Sequence, residues 1–270
     1  MSELLDVQRP AAPQIHQVRV AETVASELRA RILRGEFTSG MLPKQEDLRD
    51  QYGISHPSLR EALRILETEG LVTVRRGNVG GASVHRPGEG RFGYSLGIAL
   101  QSSGTRIEEL AASLATLEPL CARLCAEHPD RATAIVPHLR NLLTQAPADE
   151  EGVSFTRSAR EFHAAIVDLC ADAPIQLIVG GLVRLWTAQE EAWAETLSSE
   201  GSYPGNEARA HSAKAHTRLV DLIEAGNADE AETYSRKHIQ AAQQLVLDKV
   251  DDRVVDASST RARRHLLTGS

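Results

Sequence analysis

The chain has 270 residues, 41% of them hydrophobic, with 30 Lys and Arg against 37 Asp and Glu and a formal net charge of −7. This length accommodates two domains with ordinary cores. No apolar run is long enough to span a membrane, and the opening MSELLDVQRPAAPQ lacks the basic and apolar stretches of a signal peptide, so a cytoplasmic protein is expected.

The acidity is uneven. Residues 1–88 hold 12 Lys and Arg against 11 Asp and Glu, a net +1, which leaves 18 against 26, a net −8, for residues 89–270. Residues 1–17 read as a disordered N-terminus. Val20, Val24, Leu28 and Ile32 then recur every four residues and stop at Gly35, which predicts a first helix. A shorter helix follows Leu42 and Pro43, with Leu48 and Tyr52 inward, and Gly53 makes a turn. Ser55 is a suitable N-cap for a third helix, Pro57 is tolerated in its first turn, and Leu59, Ala62, Leu63 and Leu66 share its buried face. Arg60 and Arg64 lie opposite, and Gly70 supplies a left-handed stop. Leu71 to Val74, the cationic and glycine-rich run Arg75, Arg76, Gly77, Gly80 and Gly81, and Ala82 to His85 predict a short hairpin.

Helix, helix, turn, helix and hairpin is the order of a winged helix-turn-helix, here over residues 18–88. In that geometry the helix beginning at Ser55 enters the major groove of double-stranded DNA by its N-terminal end, and the wing follows the backbone or minor groove. The expected DNA contacts are Lys44, Ser55, His56, Ser58, Arg60 and Arg76. Arg64 is expected to be structural, paired with Glu61 or Glu67.

RPGEGR at 86–91 interrupts both patterns and marks a domain boundary. Beyond it helices are predicted near 106–127, 131–145, 153–171, 174–198, 206–225 and 228–250, with a short one near 92–101. The second domain, 89–250, is thus an all-α bundle of six or seven helices, and 251–270 reads as a disordered tail. The fold class is mainly α, with one small β-hairpin. Cys121, Cys125 and Cys170 form no Cys-x-x-Cys pair and suit reduced core thiols. Trp186 and Trp193, seven apart, suit packing or a dimer contact, and His211 suits the surface.

Three histidines fall inside helical patterns. His216 lies ten residues before Gly226 and His238 eleven after Asn227, so in an antiparallel helix pair both stand roughly 15 Å from the shared turn, at one level. His163, eleven before Pro174, reaches the same depth on its own helix.

The segment ILRGEFTSGMLPKQEDLRDQYGISHPSLREALRILETEGLVTVRRGNVGG resembles the DNA-binding domain of GntR-family regulators, the FadR subfamily especially, over about fifty residues. Three departures stand out. Lys44 replaces a usual Ser or Thr, Glu46 an Arg that is often present, and His56 an Arg that reads guanine. A neutral imidazole cannot copy the bidentate guanidinium fork, so the operator sequence does not transfer from the family. EFHAAIVDLCADAPIQ and AHTRLVDLIEAGNADEAETYSRKHI are in turn similar to segments of the FCD ligand-binding domain that accompanies such readers. The resemblance implies that His163, His216 and His238, with one Asp, bind a divalent metal beneath an effector pocket and that the metal helps hold a carboxylate metabolite. Ala159 stands in place of that Asp, and Leu114 where an Arg is often found. Three neutral imidazoles suffice for Zn²⁺ or Ni²⁺; the other reading makes them metal-free pocket histidines. The family further implies a homodimer on a short palindromic operator, with repression relieved by a small-molecule effector. The alternative, a metal-dependent helical enzyme using the three-His cluster, lacks a His-Glu-x-x-His or comparable acid-base motif, so no catalytic residue is assigned.

Overall fold

The structure, a computed structural model, describes residues 15–75, 81–85, 88–145, 152–201, 203, 206–249 and 253–268. They fall into two compact units, one within residues 1–87 and the other within 88–270.

The first unit holds α1 (Ile15–Leu33), α2 (Gln45–Tyr52), α3 (His56–Thr68), β1 (Val72–Val74) and β2 (Ala82–Val84). This is a winged helix-turn-helix. Ala21, Val24, Ala25, Leu28 and Ile32 form the buried stripe of α1 and share a core with Leu59, Ala62, Leu63 and Leu66 of α3. Each fully buried Leu there contributes on the order of 1.5–3 kcal/mol. Val20 is only half-buried, because Ala21 takes the inward position in that turn. The first helix begins at Ile15, so residues 15–17 are helical where disorder was expected; residues 1–14 lie outside the described residues.

The turn between α2 and α3 depends on Gly53, whose φ of 62° places it in the left-handed region that a Cβ disfavours. The Ser55 hydroxyl then accepts from the Ser58 backbone N–H at 3.3 Å, capping α3. In the wing, Val72 pairs with Val84, Thr73 with Ser83 and Val74 with Ala82, antiparallel. Met41 adds an isolated bridge to Ser83, and the Glu67 carboxylate accepts from the Val74 N–H at 3.0 Å, tying α3 to the wing. The wing tip, including Arg76, lies outside the described residues.

The second unit holds α4 (Glu89–Ser102), α5 (Ile107–Glu127), α6 (Val136–Gln145), α7 (Gly152–Leu169), α8 (Ala173–Ser199), α9 (Asn206–Ala225), α10 (Ala228–Leu247) and α11 (Thr260–Thr268), with a π-helical turn at Arg131–Ile135 leading into α6. α5 packs against α7, α8, α9 and α10, and its Leu110 and Leu114 are in the core with Phe162, Leu185 and Trp186. α5 also contains Pro119, which lacks the N–H that would bond to the carbonyl of Ala115. Arg236 of α10 supplies the missing donor, with Nη1 2.7 Å from that carbonyl. A proline that would otherwise leave an orphaned acceptor thus becomes a point of attachment for a second helix.

One expectation is corrected here. Residues 89–250 hold seven helices among the described residues, α4 to α10, but the segment expected to be a disordered tail contains an eighth. Val255, Ala257, Ala262 and Leu266 are buried in it. Its chain is fastened by the side-chain amides of Gln189 and Gln101. Gln189 exchanges hydrogen bonds of 2.7 and 3.0 Å with the Asp256 backbone, and Gln101 accepts from the Ala257 N–H at 3.0 Å. Ser259 caps α11 by accepting from the Ala262 N–H. The polar run RARR concealed this pattern, because the buried apolar side chains among the described residues of α11 are the i, i+4 pair Ala262 and Leu266.

Replacing Arg236 by Ala is expected to leave the Ala115 carbonyl without its charged donor and lower unfolding stability by about 1 kcal/mol. Urea denaturation of the two proteins checks this: an unchanged midpoint would show that water replaces the guanidinium without cost.

Candidate functional site

In the first unit the candidate surface is the N-terminal half of α3. His56 and Arg60 are exposed there, as is Lys44 at the N-cap of α2, where its side chain makes no capping bond. Arg60 has no ion pair among the described residues. Arg64 is exposed and only 3.9 Å from Glu61, a weak i, i+3 contact. Ser55 is exposed, but its hydroxyl is occupied by the cap and by Ser58 Oγ at 3.0 Å. The expectation for Ser58 is corrected: it is 5% exposed and its hydroxyl faces Ser55, so it fixes the start of the helix and does not present itself to a partner. Arg76 lies outside the described residues, whereas Arg75, exposed at the end of β1, extends the cationic surface. Its adjacency to Arg76 in the sequence was the available signal.

The second unit brings His163 of α7, His216 of α9 and His238 of α10 together. One ring nitrogen from each lies within 4.8 Å of the others. The ring centroids are 5.1 Å apart for His163 and His216, 5.3 Å for His163 and His238, and 4.8 Å for His216 and His238. Phe162 stacks on His216 at 4.3 Å, holding that ring from behind. His163 Nδ1 is 2.6 Å from Glu118 Oε1, with both side chains almost wholly buried. The carboxylate accepts, so Nδ1–H is the donor and Nε2 is the nitrogen turned toward the other rings. That Nε2 is 3.3 Å from His216 Nε2, and His238 Nε2 is buried without a hydrogen-bond partner among the described residues. Three converging imidazoles, one with an orphaned nitrogen, are a donor set for a soft or borderline divalent cation, so these residues fit such an ion.

The electrostatics agree. Burial lowers His216 well below its ordinary range, and His163, His238 and Arg160 lower it further. Burial, with His163 and Arg160, takes His238 down to about 3. Both rings are neutral near pH 7, as a metal ligand must be. Burial alone would raise Glu118, but His163 and Arg160 hold it below the usual carboxylate range, so it remains the anion behind the cluster.

Above the histidines is a cavity of about 270 Å³, walled by Phe155, Ala159, Trp193 and Leu245 with Arg160 and Glu190. Ala159 occupies the wall where the resemblance implied an Asp, and Leu114 is buried in the core. Trp193, expected to serve packing or a dimer contact, lines this cavity, while Trp186 is fully buried in the core. His211 is exposed and stands on the cavity rim. Sequence reasoning missed Glu118, Arg160 and Glu190. Glu118 was legible as an acid inside the apolar run LATLEPL, and Arg160 as the residue three before His163 and hence on the same helix face.

Comparison with known proteins agrees with both units. Residues 20–80 match the family model for bacterial regulatory proteins, gntR family, and residues 109–241 match the FCD domain. The chain is 26% identical over 234 residues to the HTH-type transcriptional repressor NanR of Salmonella newport (strain SL254), covering 83% of this chain and 84% of that protein. It is also 26% identical to the NanR repressor of Salmonella arizonae, covering 82% of that protein. A solved structure, Streptococcus agalactiae GntR, aligns with a TM-score of 0.56 at 20% identity, over 83% of this chain and 99% of that one.

The buried imidazoles link stability to pH. In the unfolded chain they titrate near about 6.5, whereas in the fold His216 and His238 titrate far lower, so below about 6.5 the unfolded state binds more protons and stability falls. Melting the metal-free chain between about pH 7.5 and 5 is expected to show a falling midpoint, with a shallower fall in His238→Ala. Equal slopes in the two proteins would contradict the assignment.

Proposed function

The chain belongs to the GntR family of bacterial regulatory proteins and joins that family's DNA-binding domain to an FCD domain, so it is a DNA-binding transcriptional regulator and not an enzyme; we propose that it is a repressor controlled by a small carboxylate-bearing metabolite bound in the helical unit. The observation carrying this reading is the meeting of His163, His216 and His238 at the floor of a cavity, with a buried His238 nitrogen left unpartnered among the described residues. The name repressor given to the NanR relatives supports the sign of regulation.

The reader is proposed to act as a homodimer that places two copies of α3 in successive major grooves of a short palindromic operator. Exposed Leu177 and Ile178 on α8, 40% and 46% exposed, offer apolar surface for such pairing. Lys44, Ser55, His56, Arg60 and Arg76 are the proposed DNA contacts. Arg60 carries the largest share, because its guanidinium is exposed on the groove-facing end of α3 with no competing ion pair among the described residues. With a reader unit of net charge close to zero, affinity rests on a few placed cations and on dimerisation, and its salt dependence is moderate.

His163, His216 and His238 are proposed to hold one divalent metal of the zinc or nickel type, and the metal would supply a positive centre for an effector oxygen. Glu118 orients His163 and provides the buried negative charge that Ala159 does not. Effector and operator binding are linked, so each changes the other's affinity by the same factor. No described helix is long and apolar enough to cross a membrane, and the protein is proposed to work in the cytoplasm, where its DNA lies.

Arg60→Ala is expected to weaken operator binding roughly tenfold while leaving the melting midpoint nearly unchanged, since an exposed phosphate or base contact is lost without loss of packing. Gel shift and thermal melting on one preparation test it, and undiminished binding would remove Arg60 from the interface. The double variant His216→Ala with His238→Ala is expected to bind operator normally yet no longer release it when effector is added. A preserved response would place the effector elsewhere.

A further inference from the structure

The His cavity contains a cation that the cluster does not use. Arg160 is 5% exposed, lies one helical turn from His163 on α7, and lines both this cavity and a neighbouring one that Arg184 and Thr187 also line. Its nearest anion is Glu190 of α8, with Nε 2.7 Å from Oε2. The contact is close but poorly aligned, so Arg160 Nε and Nη1 and Glu190 Oε2 all remain without a hydrogen-bond partner among the described residues. Glu190 is a reluctant anion in any case, since burial raises it against the pull of Arg160. A buried guanidinium with unfilled N–H groups is a costly feature to maintain, and a planar, doubly accepting anion is its natural complement.

The remainder of the wall defines the ligand. Phe155, Ala159, Trp193, Ala242 and Leu245 are apolar, and a volume of about 270 Å³ equals roughly nine waters. On another side Thr156 Oγ1 and Tyr203 Oη meet at 2.8 Å, giving a hydroxyl pair that can exchange hydrogen bonds with a ligand. Ala159 adds a methyl where a carboxylate would have neutralised Arg160 from within its own helix.

We infer that Arg160 is the anion-recognition residue of this cavity and that the ligand is a small monocarboxylate, its carboxylate held bidentately by the guanidinium and its compact, mainly apolar body lying against Trp193, Phe155 and Leu245. Glu190 acts as the resident competitor: it keeps Arg160 extended into the wall and sets how strongly an incoming anion is drawn. The inference rests on the effector reading of the same cavity and specifies the part of it that recognises charge.

The test is calorimetric titration of the full chain, without DNA, using benzoate, hexanoate and isovalerate, each beside its neutral amide, with metal content measured on every sample. At least one carboxylate is expected to bind while its amide does not. Arg160→Gln is expected to weaken that carboxylate roughly ten- to a hundredfold with metal content unchanged, and Arg160→Lys to weaken it less. Glu190→Gln, which removes the competing anion, is expected to strengthen it, a change of opposite sign that a merely structural role would not produce. If Arg160→Gln does not fold, the Lys variant and Glu190→Gln decide. Undiminished binding by Arg160→Gln, equal binding of the amide, weakening in Glu190→Gln, or no binding of any of the three carboxylates to the parent would each overturn the proposal. Because DNA is absent, failure here leaves the regulator reading intact, and a ligand that binds as described without affecting operator affinity would refute that reading alone.

Discussion

The second unit is arranged around the buried contact between Glu118 and His163. An ionised carboxylate deep in a helical bundle carries a desolvation penalty of several kcal/mol unless it is hydrogen-bonded to a partner that favours its charge. Here one oxygen is 2.6 Å from His163 Nδ1, and the field of Arg160 adds to the stabilisation. The contact fixes which His163 nitrogen faces the cavity, and the positions of His216 and His238 have meaning only relative to that nitrogen. Phe162 behind His216 then restricts the second ring, and the level packing of α9 and α10 brings in the third.

That anchor also explains why the cluster can differ from its family's pattern. With Ala159 in the wall, the buried carboxylate found against the three imidazoles among the described residues is Glu118, which bonds His163 Nδ1 and not the nitrogen that faces His216. A cation bound there would keep more of its positive charge than one with a direct carboxylate ligand. Arg160 adds to the same sign of field, and Glu190 answers it only in part because burial opposes its ionisation. The cavity thus sets the Arg160 guanidinium among mainly apolar walls, within a unit of net charge −8. Local arrangement sets its preference, not bulk charge.

Much of this was legible in the amino-acid order because the signals were local. Gly53 and Gly70 mark the ends of α2 and α3, Ser55 starts α3, and the spacing of His216 and His238 about Gly226 and Asn227 places both rings at one level. What was hidden depended on distant partners. Ser58 reads as a polar residue at the reading end of a helix, and only packing shows that its hydroxyl turns back to Ser55. Trp193 shares a period with Trp186, yet one faces the cavity and the other the core, because seven residues on a 27-residue helix do not return to the same neighbours. The tail after residue 250 looked unstructured since its anchors, Gln101 and Gln189, are far away in sequence and side-chain amides carry no periodic signal.

The most direct measurement is a nuclease footprint on the DNA flanking the chain's own gene, repeated in the presence of a panel of small carboxylates. The parent chain is expected to protect a short palindrome, and at least one carboxylate to lift that protection. Protection that every carboxylate leaves unaltered, or no sequence-specific protection at all, would contradict this expectation.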